Sequence, residues 1–321
     1  MEFKLSGVRK VEKNDQPIEN LLVLGSGPAG YAAALYAARA ELNPLILTGL
    51  ELGGQAALTY TIENYPGFPD GVGGAALGEL FQKQAEKFGA RIEFDSVTSV
   101  DLSEHPFTVR TYSNEFKTKA LVIATGASPV HLDVPGEKEL TGRGVSYCAT
   151  CDGYFFKEKK VVVVGGGDSA IEEGIFLTRY ASSVTIIHRR EELRAGAILQ
   201  KRASENPKIS FVLNTVVKEV KGSEKVESIV LENVNTGETT NFPVDGIFIF
   251  IGHQPNTKIF EGQVKLDSKG YIVSDSKMQT SVKGVFAAGE VTDPIYRQVV
   301  TSAGMGAAAG IMAAKYLEEN E

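Results

Sequence analysis

"LLVLGSGPAGYAAALYAARA", Leu21 to Ala40, sets four apolar residues ahead of a glycine turn and an alanine-rich stretch. The run Leu21 to Leu24 is short, wholly apolar and stops at glycine, which marks a buried strand. The alanine-rich stretch reads as a helix that ends before Asn43-Pro44, because the residue ahead of a proline is driven out of helical geometry. "LILT", Leu45 to Thr48, supplies the next strand, so these pieces form one β-α-β unit. Within the turn, Gly25, Gly27, Pro28, Ala29 and Gly30 belong to a G-x-G-x-x-G spacing that lies directly between strand and helix. Gly25 permits the tight turn, Gly27 lets the backbone approach a pyrophosphate, and Gly30 lets helix and strand touch. The helix N-terminus offers free N–H groups and a positive dipole end to the same spot. A generic glycine turn is the plainer alternative, and the placement favours a dinucleotide.

The design recurs in "KKVVVVGGGDSAIEEGIFLTRYASSVTIIHRR". Here the strands are Val161 to Val164 and Val184 to His188, and the helix runs from Asp168 to about Tyr180. Gly165, Gly166, Gly167, Asp168, Ser169 and Ala170 form a second fingerprint, with alanine at the third glycine position. Each unit is followed by alternating, turn-punctuated stretches that read as hairpin strands: "ARIEFDSVTSVD" and "HPFTVRTYS", then "KISFVLNTVVKEV" and "KVESIVLENVNTGETTNF". Each set closes on an apolar strand that runs into glycine, "ALVIATGAS" and "GIFIFIGHQPN". A third such segment, "GVFAAGEV", precedes a terminal helix in "TSAGMGAAAGIMAAKYLEEN". The fold class is therefore α/β, with two dinucleotide-binding, Rossmann-like, three-layer domains, each carrying a β-meander. Chain crossings are expected near Gly126 to Gly136 and Gly252 to Phe260. The expected division is an N-terminal arm over 1–20, a discontinuous first domain over 21–128 and 258–321, and an inserted second domain over 129–257.

Two cradles imply two dinucleotides, and the residues after each second strand separate them. The second unit runs into His188, Arg189 and Arg190, with Arg194 a turn later, where an NAD site would place an acid. Cations there suit a ribose 2′-phosphate and so NADPH; the plainer alternative is a solvated, basic helix start. The first unit ends in Thr48 with no arginine near, which suits FAD, and Glu51 is the candidate partner of its adenosine ribose.

A chain of 321 residues with 43% apolar content has room for two such domains. A net charge of −7 argues against general affinity for nucleic acid or anionic membrane. The charged N-terminus carries no secretory pattern and no apolar run is long enough to span a bilayer, so a cytoplasmic protein is expected. The only two cysteines lie together in "SYCATCDGYFF". As a structural disulfide, Cys148–Cys151 closes too small a loop to stabilise a domain of this size much. As a zinc half-site the pair lacks partners, since His105, His131, His188 and His253 are scattered; no metal is expected. A redox dithiol needs nothing further. Asp152 beside it reads either as an Asp-Gly turn residue or as a proton donor and acceptor for the thiols.

The ordered set "GSGPAGY", "GGQ", "ENYPG", "ATGAS", "CATCDG", "GGGDSA", "HRR", "IGHQPNT" and "YRQVVTSAG" resembles the low-molecular-weight, bacterial-type thioredoxin reductases from about Leu21 to the C-terminus. The resemblance implies the two-domain flavoprotein disulfide reductase architecture, with FAD in the first unit and NADPH in the second. It places Thr48, Gly49, Gly53, Gly54, Gln55 and Asn64 around FAD. To these it adds Ala124, Thr125 and Gly126, and from the C-terminal segment Gly289, Glu290, Arg297, Gln298 and Val299. At the NADPH site it adds Ile251 and Gly252 to the second fingerprint and its basic cluster. Glu290 is a departure, standing where the family usually has aspartate. On the same analogy Cys151 faces the flavin, Cys148 attacks thioredoxin, and Asp152 is the acid-base residue. The implied activity is NADPH-dependent reduction of thioredoxin by a homodimer, with a rotation of one domain between half-reactions. Rival functions are a flavoprotein dithiol oxidase, or reductase fed by another donor, and a nucleotide-responsive redox sensor or zinc-linked binding protein.

Overall fold

The computed structural model describes residues 17–59 and 61–320. Most of the arm expected over 1–20 lies outside the described residues, and the first strand begins at Glu19. Five strands run parallel in the order Arg91–Glu93, Leu45–Leu47, Glu19–Leu24, Glu115–Ile123, Val285–Ala287. Along Glu19–Leu24 the side chains alternate between two cores. Leu21 and Val23 pack with Ala33 and Ala37 on one face, while Leu22 and Leu24 pack with Leu47, Leu121 and Val285 on the other. A run apolar at every position is what burial on both faces requires. The strand Glu115–Ile123 serves two partners. Its first residues pair antiparallel with Phe107–Thr111, which continues into a hairpin with Val97–Asp101, and its apolar end joins the parallel strands.

The helix Pro28–Arg39 packs on this sheet and is crossed by the C-terminal helix Val299–Glu319. The crossing is close because of glycine: a Cβ on Gly306 would sit 2.1 Å from the carbonyl oxygen of Ala29, and one on Gly310 2.4 Å from that of Ala33. Any side chain at either position would force the helices apart. This contact brings the end of the chain over the first glycine turn.

The second unit repeats the plan with parallel strands Ile209–Val212, Ser183–Ile187, Lys160–Val164, Gly246–Ile249 and Val145–Ser146. A separate antiparallel sheet of Thr215–Lys221, Ser228–Asn233 and Thr239–Pro243 follows. The fifth strand differs in origin between the units. In the first it comes from late in the chain; in the second it is the stretch just ahead of the cysteines, which fixes where they emerge.

Two expected hairpin strands turn out otherwise: Arg91–Glu93 and Ile209–Val212 are parallel edge strands. An edge strand with one covered face alternates in polarity as a hairpin strand does, so its pattern alone does not tell them apart. The second-unit helix ends at Leu177, and Thr178 to Tyr180 form a turn in which the Thr178 hydroxyl donates to the Ile175 carbonyl at 2.6 Å. Between the units the two connections lie side by side. Ala127–Pro129 pairs antiparallel with His253–Pro255, and the Asn256 amide bonds the Thr125 carbonyl at 2.8 Å.

Candidate active site

Both glycine turns are built alike from their backbone. Gly25 donates its N–H to Leu47 O at 2.8 Å and Gly165 donates to Ile187 O at 3.1 Å, tying each turn to the end of the neighbouring strand. Gly25 lies at φ +110°, and a Cβ there would meet Ala124 O at 2.4 Å; at Gly165 it would meet Phe250 O at 2.5 Å. In each unit the residue after the closing strand thus leaves no room for a side chain. Gly30 is needed for helix packing, since its Cβ would fall 1.9 Å from Gly25 O, whereas Ala170 holds the equivalent place fully buried.

The middle glycines differ from these. A Cβ on Gly27 or Gly167 would meet nothing within 4 Å, so both turns open on space at the N-terminus of a helix that has no side-chain cap. Uncapped N–H groups facing a clear cradle fit a pyrophosphate in both units. Two buried side-chain atoms without partners among the described residues, His188 Nε2 and Glu173 Oε2, both belong to the second unit. His188 lies under Gly166, where a Cβ would strike its ring at 2.3 Å. Burial, then Arg194, Arg190 and Arg189, lowers its pKa, so the ring is neutral and available as a hydrogen-bond partner. Arg189, Arg190 and Arg194 are exposed and form no ion pair within 4.0 Å among the described residues. Asp168 is engaged locally, accepting the Gly196 N–H at 2.8 Å, while Ser169 is exposed.

Around the first cradle, the single Ser26 hydroxyl hydrogen is shared between the carbonyl oxygens of Thr48 at 3.0 Å and Glu51 at 3.2 Å, holding the loop that follows the second strand. Thr48 is buried and donates to Gly49 O at 2.8 Å, and Glu51 accepts from Gln55 at 3.0 Å on the surface. Gly53 and Gly54 both take positive φ, and Gly54 abuts Gly27. Ala124, Thr125 and Gly126 leave the closing strand together, with the Thr125 hydroxyl bonded to Asn256 O at 2.9 Å. Ile251 packs in the second core and Gly252, at φ +136°, begins the return connection.

Gly289, Glu290, Arg297, Gln298 and Val299 arrive beside this loop with the terminal helix, of which Val299 is the first residue. Burial pushes the Glu290 carboxyl up to about 7, with Arg297 opposing and Asp293 reinforcing the shift. Near neutrality the protonated form of Glu290 can donate a hydrogen bond, whereas its carboxylate form only accepts. His253 is held neutral, its pKa pushed down to about 4 by burial and by Arg297, whose guanidinium donates to His253 Nδ1.

The cysteines are joined: Cys148 and Cys151 form a disulfide with S–S 2.07 Å and Cα–Cα 5.3 Å. Ser146, at the end of the fifth strand, accepts the Cys148 N–H at 3.1 Å, and the Cys151 N–H donates to Cys148 Sγ at 3.2 Å. Upstream, buried Glu137 collects the N–H groups of Leu132 and Asp133 and the Tyr147 hydroxyl, which fixes the segment leading to the pair. Asp152 has its pKa raised, chiefly by burial, with the Ser146 hydroxyl pulling the other way.

Side chains from both units meet at the disulfide. Asn64 donates to Gln298 Oε1 at 3.0 Å, Gln298 donates to Thr150 Oγ1 at 3.2 Å, and Thr150 lies 3.4 Å from Cys148 Sγ. Thr150, Asn256 and Glu137 escape a reading by spacing. Thr150 alone carried a signal, a hydroxyl between the two cysteines.

Residues 19–306 match the model of the pyridine nucleotide-disulphide oxidoreductase family. The chain is 47% identical over 309 residues to a thioredoxin reductase of Peptoclostridium litorale, across 94% of this chain and 98% of that protein. It is similar to the crystal structure of thioredoxin reductase from Streptococcus pyogenes, with 44% identity, coverage of 94% and 99%, and a TM-score of 0.91. A Lactococcus lactis thioredoxin reductase structure described as the FR conformation is 41% identical with the same coverage, yet its TM-score is 0.64. Similarity of this degree, sustained along almost the whole of both chains and carried by the same fold, means that the chain belongs to the low-molecular-weight, bacterial-type thioredoxin reductases.

Proposed function

We propose that the chain reduces the disulfide of thioredoxin with NADPH as electron donor and FAD as resident cofactor. The observation that carries this is the Cys148–Cys151 disulfide held against the first unit through Thr150 and Gln298, in a chain whose first unit also presents an open cradle at Gly27. FAD would be held by Gly25 to Gly30, the loop Thr48 to Gln55, and Gly289 to Val299. NADPH would be held by Gly165 to Ala170 with His188, Arg189, Arg190 and Arg194. When bound, the flavin supplies two-electron chemistry, taking a hydride from the nicotinamide and delivering an electron pair to the disulfide.

The chain's own residues position and protonate. The Cys151 N–H and the Ser146 side chain orient Cys148, and Asp152, whose burial makes it hold its proton to higher pH than an exposed aspartate does, is the proton source for a thiolate leaving the pair. Tyr154 and Phe155, 58% and 38% exposed just past Cys151, give a protein substrate apolar surface next to the sulfurs. The disulfide rides on the second unit with the NADPH cradle, while the flavin cradle is in the first. Both must reach one flavin, so the second domain (129–257) turns on the paired connections between half-reactions. The contrast between the two superpositions supports that motion. The same reading makes the protein a cytoplasmic homodimer. No helix among the described residues is long and apolar enough to cross a membrane.

The test is direct. The purified protein should show an oxidised flavin spectrum that bleaches with NADPH and recovers on addition of oxidised thioredoxin. Recovery with oxygen but not with thioredoxin would favour the oxidase, and no bleaching by NADPH would point to another donor. Replacing Arg189 and Arg190 together by alanine should raise KM for NADPH by about 10²-fold while leaving KM for NADH nearly unchanged, since each charge-assisted bond to a phosphate contributes roughly 1.5–3 kcal/mol before screening. Equal losses for both nucleotides would remove these arginines from 2′-phosphate recognition.

A further inference from the structure

We propose that Thr150, oriented by Gln298, stabilises the thiolate that forms on Cys148 when the disulfide opens. The inference rests on the reductase reading and assigns a function to a residue that the cysteine spacing passes over. The proton inventory of the contact decides its direction. Cys148 Sγ is bonded to Cys151 and carries no hydrogen, so in the 3.4 Å contact the Thr150 hydroxyl is the donor. A hydroxyl has one hydrogen, and with that hydrogen spent on sulfur Thr150 Oγ1 meets Gln298 as an acceptor.

The amide orientation of Gln298 agrees. Its nitrogen also lies 3.1 Å from the Tyr296 carbonyl, which can only accept, so nitrogen and not oxygen occupies that side. Gln298 Oε1 is left to accept from Asn64 at 3.0 Å. Each hydrogen bond that links Asn64, Gln298, Thr150 and Cys148 is therefore donated toward the sulfur. Gln298 and Asn64 belong to the first unit and Thr150 to the second, so this polarity exists only while the disulfide faces the first unit.

The step balances as follows. An electron pair from the two-electron reductant enters at Cys151, the S–S bond breaks, and its bonding pair leaves on Cys148 Sγ as a thiolate. Cys148 then accepts from two donors already in place, the Cys151 N–H at 3.2 Å and the Thr150 O–H at 3.4 Å. Both contacts are weak to a neutral disulfide and strengthen when the acceptor becomes an anion. Thr150 touches a reacting atom and is catalytic in that sense. Gln298 acts through it and is a positioning residue.

The experiment equilibrates the flavin-loaded protein with glutathione buffers from pH 6 to pH 9 and counts reduced Cys148–Cys151 by mass spectrometry after acid trapping. Thr150→Val should lower the equilibrium constant for reduction about three- to tenfold at pH 9 with little change at pH 6, as expected for one partly exposed, charge-assisted bond. Thr150→Ser should restore the wild-type curve. Gln298→Leu should lower the constant in the same direction in the wild-type background and add nothing in Thr150→Val. A Val variant matching wild type at every pH, or lowered equally at pH 6 and pH 9, overturns the proposal, as does a Ser variant that behaves like Val. Should the Val variant lose flavin or fold poorly, Thr150→Ala against Thr150→Ser gives the same comparison. Neither thioredoxin nor NADPH enters the measurement. A null result here leaves the reductase reading standing, and a protein that fails to reduce thioredoxin can still show the Thr150 effect.

Discussion

Cys151→Ser is expected to abolish reduction of thioredoxin, by roughly 10⁴-fold or more, the scale on which enzymes respond to loss of a covalent participant. NADPH should still bleach the flavin at the normal rate. A serine hydroxyl cannot form or release a disulfide, so electrons delivered to the flavin have no exit toward protein substrate. The two half-reactions use different parts of the molecule, the cradle at Gly165 to Ala170 for one and the disulfide for the other, which is why the loss should be confined to one of them. Stopped-flow bleaching and a coupled insulin-thioredoxin assay on the same preparation read both. Thioredoxin turnover at the wild-type rate would remove the pair from the reaction. The serine variants also assign the sulfurs. With Cys148 as the interchange thiol, Cys151→Ser should trap thioredoxin as a mixed disulfide through Cys148; trapping by Cys148→Ser instead would exchange the two roles.

The fold could be read far in advance because backbone sterics leave a mark on composition. Gly25, Gly30 and Gly165 are glycines since a Cβ at each would enter a carbonyl oxygen or a neighbouring side chain, and Gly27 and Gly167 are glycines that open on space. That contrast is what the G-x-G-x-x-G spacing encodes. The apolar runs at Leu21 and Val161 likewise announce strands covered on both faces. Edge strands escaped this logic. Arg91–Glu93 and Ile209–Val212 are short edge strands that are only partly buried, and their mixed polarity does not say whether the partner runs parallel or antiparallel. Spacing is blind to the polar contacts between the units. Gln298 and Thr150 are 148 residues apart, and Thr125 and Asn256 are 131 apart, so each pair is set by the folded arrangement. The resemblance named Gln298 as a flavin neighbour, but nothing in the residues themselves linked it to the dithiol.

Asp152→Asn should slow thioredoxin reduction by about 10²–10³-fold, the usual contribution of a positioned acid-base group, with flavin bleaching by NADPH preserved. The asparagine keeps shape and polarity and removes only the titratable proton, so a large loss is diagnostic of proton transfer. The pH dependence carries the stronger argument. Burial favours the neutral carboxyl of Asp152 over its anion, so it holds its proton to higher pH than an exposed aspartate does. The Ser146 hydroxyl, bonding the anion, limits the shift without reversing it. Disulfide reduction should therefore fall as pH rises through this raised value, because the donor is lost, while the hydride half-reaction does not follow that limb. In Asp152→Asn the limb should vanish along with most of the rate. A variant that keeps the falling limb would place the proton source elsewhere, and one that keeps the rate would return Asp152 to the role of a turn residue ahead of Gly153.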